Sequence, residues 1–301
     1  MTQHIRKFIG LAIATCLVIL GWALMQASGA QNASSATHVS AQEQSAQMAE
    51  LHEGDRPIST PMAQAPSAPV MGQAVTYGLI DGEPVTGYLS MPEGVSDSIP
   101  GVIVIHEWWG LNDNIRTMAD RLAGEGYAAL AVDLYRGGVA ETPDDARSLV
   151  QSALETPDLL NQNLLEAHDY LVTELSAPRT GSIGWCFGGT WSLNTARLLP
   201  ESLDATVIYY GGGIVTDSES LEALQMPIQG HFGALDSNPS VETVQEFEAT
   251  LNTLGKNADI YIYEDANHAF ANPSGTRYNA DAAETAWGRT VEFLHAHLSN
   301  M

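Results

Sequence analysis

The chain has 301 residues, of which 45% are hydrophobic, with 27 glycines and 14 prolines. These values are typical of a globular protein and exclude both wholesale disorder and a collagen-like fibre. Its 12 Lys and Arg residues are outnumbered by 36 Asp and Glu residues, which gives a net charge of −24 at pH 7. A surface this acidic excludes nucleic-acid binding and disfavours attraction to acidic lipids, because both partners require a basic face.

The first thirty residues have the pattern of a secretory signal. A basic flank at residues 4–7 precedes an apolar run from Phe8 to Met25, and small side chains follow at residues 27–30. This order is typical of a cleaved signal peptide, but the run at residues 8–25 is long enough to be an uncleaved N-terminal anchor. Both alternatives predict an exported protein, periplasmic or secreted, that contacts a membrane only if the segment is retained.

Export makes the cysteine content informative. Removal of residues 1–30 leaves 10 basic residues against 36 acidic ones, a net charge of −26, and Cys186 as the only cysteine. A single cysteine forms no internal disulfide, and a free thiol in an oxidising compartment is expected to be either buried or used chemically.

The rest of the chain divides into a spacer and one domain. Residues 31–71 are rich in Ala, Gln, Ser and Pro and lack periodic apolar positions, which predicts a flexible spacer. Residues 72–301 are enough for one α/β domain with a sizeable core, and we expect a monomer.

Short apolar segments predict the strands of the domain. The Asp81-Gly82 pair between two alternating segments is a strong signal for a β-hairpin. The segments that follow are short, apolar and often β-branched, as in strands that are buried on both faces of a parallel sheet. The predicted strands are Val75–Ile80, Val85–Ser90, Gly101–Ile105, Ala128–Val132, Ser182–Cys186, Ala205–Tyr210, Pro227–Gly230 and Asp259–Tyr263.

Helical patterns alternate with these strands. Apolar residues recur at helical spacing, and glycines near residues 124–126 and at residue 255 mark helix ends. Alternation after a hairpin predicts an α/β fold with a mostly parallel twisted sheet and helices on both faces. The predicted helices are Asn112–Glu125, Leu159–Leu175, Gly188–Leu199, Val241–Leu254 and Ala280–Leu298.

The candidate nucleophile lies in the segment Gly184-Trp185-Cys186-Phe187-Gly188-Gly189, between a predicted strand and a predicted helix. A nucleophile on such a sharp turn needs small residues two positions before and after it, and Gly184 and Gly188 occupy those positions. The turn would place the sulfur at a helix N-terminus and make the Phe187 N–H a natural oxyanion donor. The alternative is a chance match around a small buried cysteine.

The order of polar residues favours the catalytic interpretation. Asp236 follows the strand at 227–230, and His268 follows the strand at 259–263. Nucleophile, acid and histidine come in this chain order in α/β-hydrolases, and each lies after a strand at the sheet edge where ligands bind.

With these motifs in place, residues 72–298 resemble the dienelactone hydrolase family of α/β-hydrolases. The resemblance rests on His106–Asn112, Asp133-Leu134-Tyr135, Gly184–Gly189 and the loops that carry Asp236 and His268. It implies a single α/β-hydrolase domain and a Cys–His–Asp triad formed by Cys186, His268 and Asp236. This triad would cleave a small-molecule ester or lactone through a thioester intermediate, without a cofactor or metal. The backbone N–H groups of Phe187 and Trp108 would stabilise the oxyanion.

The resemblance also implies a role for Glu107. A carboxylate near a thiol disfavours the thiolate and can hold the S–H as a hydrogen-bond donor, which would slow oxidation of Cys186 before substrate binds. Replacing Glu107 by Gln is then expected to raise the rate of thiol alkylation. The alternative is a solvated acid at a strand end.

Four residues are candidate substrate contacts. Arg136 follows the Asp-Leu-Tyr segment that contains Tyr135, and Trp109 suggests an aromatic pocket wall. The family resemblance implies an arginine four residues after the histidine, but this chain has Asn272 there. A neutral amide attracts an anion less than a guanidinium does, so the reaction class is better supported than a dienelactone substrate.

Other functions remain as alternatives. The same triad could act on a thioester or a simple ester, or the pocket could bind a small molecule without turnover; a redox thiol lacks a second cysteine. His231, Asp236 and His268 could ligate zinc but lack a recognised spacing. His106 and Asp133 are expected to bind neighbouring backbone groups.

Overall fold

The computed structural model describes residues 40–55, 65–95 and 98–299. The predicted signal or anchor at residues 1–30 lies outside this part of the chain, as do residues 31–39 and 56–64 of the predicted spacer. Among the described residues, none of the helices combines the length and the apolar character that crossing a membrane requires.

Eight strands form one sheet in the order β1-β2-β4-β3-β5-β6-β7-β8. The hairpin β1–β2 is antiparallel, β2 pairs antiparallel with β4, and every other neighbouring pair is parallel. The predicted mostly parallel sheet with an N-terminal hairpin is therefore confirmed. The strands are β1 Val70–Ile80, β2 Glu83–Pro92, β3 Gly101–Ile105, β4 Ala128–Val132, β5 Thr180–Trp185, β6 Ala205–Tyr209, β7 Ile228–Gly233 and β8 Ala258–Tyr263.

Helices connect most of the successive strands of the sheet. The chain moves one way along the sheet from β3 to β4 and the other way from β4 to β5, and right-handed crossovers therefore put the connecting helices on opposite faces. The helices are α1 Ala41–Leu51, α2 Asp113–Gly124, α3 Pro143–Leu154, α4 Pro157–Asp169 with a π-helical turn Tyr170–Glu174, α5 Phe187–Leu198, α6 Ser218–Leu221, α7 Val241–Thr253 and α8 Ala280–Leu298.

Helix α1 corrects the predicted spacer at residues 31–71. Ser40 caps the helix by accepting a hydrogen bond from the Glu43 N–H, while the Glu43 side chain accepts from the Ser40 N–H. This reciprocal capping box satisfies two N–H groups that a helix start otherwise leaves unpaired. The helix also packs against α3, so tertiary contact stabilises a segment with weak apolar periodicity. The interpretation as spacer is thus wrong for residues 41–51. Strand β1 begins at Val70, before the predicted strand start at Val75 and the predicted domain start at residue 72.

Helix α3 was also missing from the sequence-based prediction. Thr142 caps it by accepting from the Asp145 N–H, and Pro143 occupies the first turn. Both features favour the start of a helix. The buried face of α3 has only Ala146, Val150 and Ala153, which give a weak hydrophobic pattern in the sequence.

Close backbone packing positions the turn after β5. A Cβ added to Gly184 would lie 2.0 Å from the Gly188 carbonyl oxygen, and one added to Gly188 would lie 2.2 Å from the Ile105 carbonyl oxygen. These contacts let α5 begin directly against the end of β3, so the residue between the two glycines faces the segment that follows β3.

Replacing Gly188 by Ala is expected to lower stability by about 2 kcal/mol or more, because backbone atoms of β3 and α5 would have to separate. Gly288 of α8 has no atom within 4 Å of an added Cβ, so Gly288→Ala is the matched control and should be neutral or stabilising. Urea unfolding of both variants measures the difference, and equal midpoints would contradict this account of the turn.

Candidate active site

Cys186 lies on a strained turn between β5 and α5. Its φ of 55° and ψ of −117° are rare for a side chain other than glycine. Its N–H donates to the Tyr209 carbonyl at 3.0 Å, and its carbonyl accepts from the Gly189 N–H at 2.9 Å. The side chain is completely buried, one of the two states expected for the free thiol.

His268 and Asp236 form a hydrogen-bonded pair beside the sulfur. Nδ1 of His268 lies 2.8 Å from Oδ2 of Asp236, whose other oxygen accepts from the Asn238 N–H. A ring nitrogen of His268 lies within 4.8 Å of the Cys186 sulfur. Nε2 of His268 is buried and has no hydrogen-bond partner among the described residues. The structure thus brings together all three residues of the predicted triad, while their catalytic roles stay a prediction.

The environment of the sulfur keeps the thiol protonated. Burial and then the charge of Glu107 raise the pKa of Cys186 well above its ordinary value. Hydrogen bonds from the backbone N–H groups of Phe187 and Trp108 act in the opposite direction but do not outweigh them. Both N–H groups that were predicted as oxyanion donors therefore face the sulfur.

Glu107 is buried after β3. Burial and then the charge of Asp55 raise its pKa to about 8, despite hydrogen bonds from Tyr210 and Asn272. The Tyr210 hydroxyl lies 3.5 Å from Oε1, and Nδ2 of Asn272 donates to Oε2 at 2.5 Å. The alternative of a solvated acid at a strand end is thus wrong. Asn272, a candidate substrate contact, instead has its amide bound to Glu107.

The other candidate substrate contacts are the exposed Arg136 and two aromatic residues, Trp109 and Tyr135. Arg136 has an exposed side chain and a φ of 53° in the turn after β4, and no described contact links it to the sulfur. Trp109 is buried with its ring 4.8 Å from that of Trp108. The buried Tyr135 hydroxyl has no partner among the described residues, and a charge on Cys186 contributes to its raised pKa, second to burial. The ring centroid of Tyr135 lies 5.4 Å from that of Phe187, the residue after Cys186.

His52, which the sequence analysis did not identify, is a side-chain hydrogen-bond partner of the thiol. Its Nε2 lies 3.3 Å from the Cys186 sulfur. Its ring stacks on Trp108 with centroids 4.3 Å apart and meets His268 edge-on at 5.1 Å. His52 directly follows α1, so a segment outside the predicted domain contributes to the site.

Asp55 fixes the His52 ring. Its Oδ2 lies 2.9 Å from Nδ1 of His52 and 2.6 Å from Nη2 of Arg277, and the Thr276 hydroxyl donates to Oδ1. Burial would raise the pKa of Asp55, but these hydrogen bonds and the Arg277 charge lower it to about 2. Arg277 also donates through Nε to the His268 carbonyl at 3.0 Å, and so connects the two histidine–aspartate pairs. The capping box at Ser40 and Glu43 was the available sequence signal for this segment.

Three donor atoms could hold a metal. The ligand atoms of His52, Cys186 and His268 all lie within 4.8 Å of one another, and thiolate and imidazole are ligands that zinc prefers. This set differs from the zinc alternative considered above, because His231 instead hydrogen-bonds Gln229, Tyr263 and Thr290.

His106 and Asp133 have structural roles, as expected. Nε2 of His106 accepts from the Leu134 N–H, and its Nδ1 contacts the Glu107 carbonyl. The Asp133 carboxylate accepts from the N–H groups of Tyr135 and Gly137. Together they fix the backbone after β3 and β4, where Glu107 and Tyr135 are located.

Comparison with known proteins decides the family. The model of the dienelactone hydrolase family matches residues 85–298. The chain belongs to this family. It is 33% identical over 236 residues to "Protein usf" of Aquifex pyrophilus, covering 76% of this chain and all of that protein. It is 31% identical over 235 residues to the "Putative carboxymethylenebutenolidase" of Aquifex aeolicus, again covering 76% and 100%.

Solved dienelactone hydrolase structures share the fold. A dienelactone hydrolase-like promiscuous phosphotriesterase from metagenomic libraries is 25% identical with a TM-score of 0.68, covering 76% of this chain and 99% of that one. The dienelactone hydrolase of Anabaena variabilis is 20% identical with a TM-score of 0.59, covering 76% and 99%. The family and fold establish a hydrolase acting on ester or lactone bonds, as the sequence predicted.

The pH dependence of thiol alkylation tests the role of Glu107. With a pKa of about 8, only about a tenth of the Glu107 carboxyl is ionised at pH 7, so repulsion of the thiolate develops mainly above pH 8. Glu107→Gln is therefore expected to raise the iodoacetamide rate slightly at pH 7 and about tenfold at pH 9. Mass spectrometry of Cys186 alkylation gives the rates; a constant ratio from pH 6 to 9 would contradict the electrostatic role.

Proposed function

We propose that this protein is an exported cysteine hydrolase that cleaves a carboxylic ester or lactone through Cys186, His268 and Asp236. One observation carries the proposal: a thiol on a strained strand-to-helix turn faces two backbone N–H groups and lies beside a histidine–aspartate pair. Nucleophile, oxyanion donors and oriented base are the groups that acyl transfer requires.

The proposed reaction has two halves. The sulfur of Cys186 attacks the carbonyl carbon, and the N–H groups of Phe187 and Trp108 stabilise the oxygen as it becomes negative. Loss of the alcohol leaves a thioester. His268 then activates water, while Asp236 holds the proton on Nδ1 and stabilises the charged ring that forms.

The charges of the site favour an uncharged acyl substrate. Asp55 and Asp236 are buried within the site, Arg277 already pairs with Asp55, and Glu107, with a pKa of about 8, adds negative charge as the pH rises. Asn272 at the position of the expected arginine is neutral and is bound to Glu107. An unsaturated lactone or simple ester fits these surroundings better than an anion, and the unpaired Tyr135 hydroxyl is available to a substrate oxygen.

Turnover of aryl esters and unsaturated lactones by the full chain tests the reaction. Cys186→Ala should abolish hydrolysis, and His268→Gln should slow it by a factor of about 10² to 10⁴ while a thioester on Cys186 accumulates, because the base for water is missing. Intact-mass spectrometry detects that adduct. Labelling of the wild-type thiol without steady product release would instead identify a binding protein.

Export is a separate part of the proposal, supported by the pattern of residues 1–30. We expect the protein purified from cells that produce it to begin near residue 31 and to be absent from the cytoplasm. N-terminal peptide mass spectrometry of each cell fraction checks this. An N-terminus at Met1 in the membrane fraction would indicate an anchor, and one in the cytoplasm would contradict export.

A further inference from the structure

The resting thiol of Cys186 has one side-chain hydrogen-bond partner among the described residues, and it is not His268. Nε2 of His52 lies 3.3 Å from the sulfur, whereas Nε2 of His268 has no described partner. His52 lies outside the region that matches the dienelactone hydrolase family, residues 85–298.

The contacts of His52 define which nitrogen carries its proton. Nδ1 of His52 lies 2.9 Å from the Asp55 carboxylate, which pairs with Arg277 and accepts hydrogen bonds, while Nη2 of Arg277 is farther from Nδ1, at 3.4 Å. The shorter contact assigns the hydrogen to Nδ1. The neutral ring with its hydrogen on Nδ1 has its lone pair on Nε2, which faces the thiol at 3.3 Å. The S–H therefore donates to His52.

The orientation of this ring is fixed on several sides. Trp108 stacks against one face of the ring, and Asp55 is in turn held by Thr276 and Arg277. His52 and Asp55 are both almost fully buried. A neutral imidazole with an oriented lone pair on a nucleophile and a carboxylate on its far nitrogen is the arrangement of a general base.

We propose that His52 and Asp55 form a second histidine–aspartate pair of the active site, in which His52 is the catalytic base for the thiol during acylation and Asp55 is its positioning residue. His268 and Asp236 then serve the attack of water. The inference rests on the proposed function, since it assigns the bases of the same two half-reactions.

Each half-reaction returns its own proton. In acylation, the thiol proton moves to Nε2 of His52 while the sulfur–carbon bond forms; the carbon–oxygen bond then breaks, and the departing oxygen takes that proton. In deacylation, water gives a proton to Nε2 of His268 as its oxygen bonds to the acyl carbon; the carbon–sulfur bond breaks, and the sulfur takes that proton. Both rings are neutral again after one turnover.

A thiol that resists ionisation needs a base in direct contact. Burial raises the pKa of Cys186, so a preformed thiolate is scarce at neutral pH. In the structure the ring nitrogen in hydrogen-bond contact with the sulfur belongs to His52, and Nε2 of His268, which has no partner among the described residues, is available for water. This geometry accounts for the presence of two histidine–aspartate pairs around one sulfur.

The same contacts would also allow residues 52–55 to act only as a cover that shields the thiol from solvent. A cover and a catalytic base predict opposite results when His52 is replaced. Loss of a base slows the attack of Cys186, whereas loss of a cover speeds it. Chemical rescue separates them further, because imidazole added to a variant without the ring can replace a base but not a tethered cover.

The experiment measures acylation and deacylation separately, using p-nitrophenyl acetate and the full chain in a metal chelator. We expect His52→Gln to slow formation of the thioester by about 10² while its hydrolysis changes less than twofold. Asp55→Asn should slow the same step by a smaller factor. The exposed neighbour Glu53 provides the matched control, and Glu53→Gln should leave both rates unchanged.

A third variant keeps the test decisive if His52→Gln loosens the segment. His52→Ala should also acylate slowly, and free imidazole should restore its rate at least tenfold without affecting the wild type. Acylation of His52→Gln that is as fast as or faster than the wild type, or His52→Ala that imidazole does not restore, would overturn the assignment. The proposed hydrolase itself fails only if wild-type Cys186 forms no thioester, a different outcome.

Discussion

The positive φ of Cys186 is the constraint on which the site depends. Only a backbone bent in this way lets the chain leave β5 and enter α5 within one residue while the side chain faces the segment after β3. Two glycines make the bend possible, because Gly184 and Gly188 each approach another backbone too closely for a side chain. The strain is held by the surrounding sheet, whose strands β3 and β6 contact both sides of β5.

Burial, rather than net charge, governs the chemistry of the sulfur. The protein carries a net charge of −24, yet the negative groups that matter are the few enclosed with the thiol. Glu107 has a raised pKa because it is removed from water, while Asp55 has a lowered one because His52, Thr276 and Arg277 surround it. Two carboxyl groups in one site thus have opposite protonation states at neutral pH, and the difference follows from their neighbours.

The fold and the central residues could be predicted because they produce strong local signals. Strands β3 and β4 are short apolar runs found at the predicted bounds, and the Gly-x-Cys-x-Gly turn restricts its surroundings by sterics. Asp236 and His268 could be placed at one sheet edge because they follow neighbouring parallel strands. The order of these elements was enough to indicate the family.

His52 and Asp55 could not be predicted, because their role depends on a tertiary contact between residues 134 positions apart in the chain. The helix before them has few large apolar side chains, and its stability comes from a capping box and from packing against α3, a helix that was itself missed. The composition of this segment shows that its side chains are mostly small or polar, but composition does not show which part of the fold the segment packs against.

The position of His52 has a practical consequence for work with this protein. An expression boundary drawn at Val70, where β1 begins, would retain the complete eight-stranded sheet and discard a ring that contacts the nucleophile; a boundary at residue 85, where the matched family region starts, would also remove β1. The shortened chain would also leave Arg277 without its ion pair to Asp55, beside the His268 loop. Cloning and engineering of this chain should therefore begin upstream of Ser40.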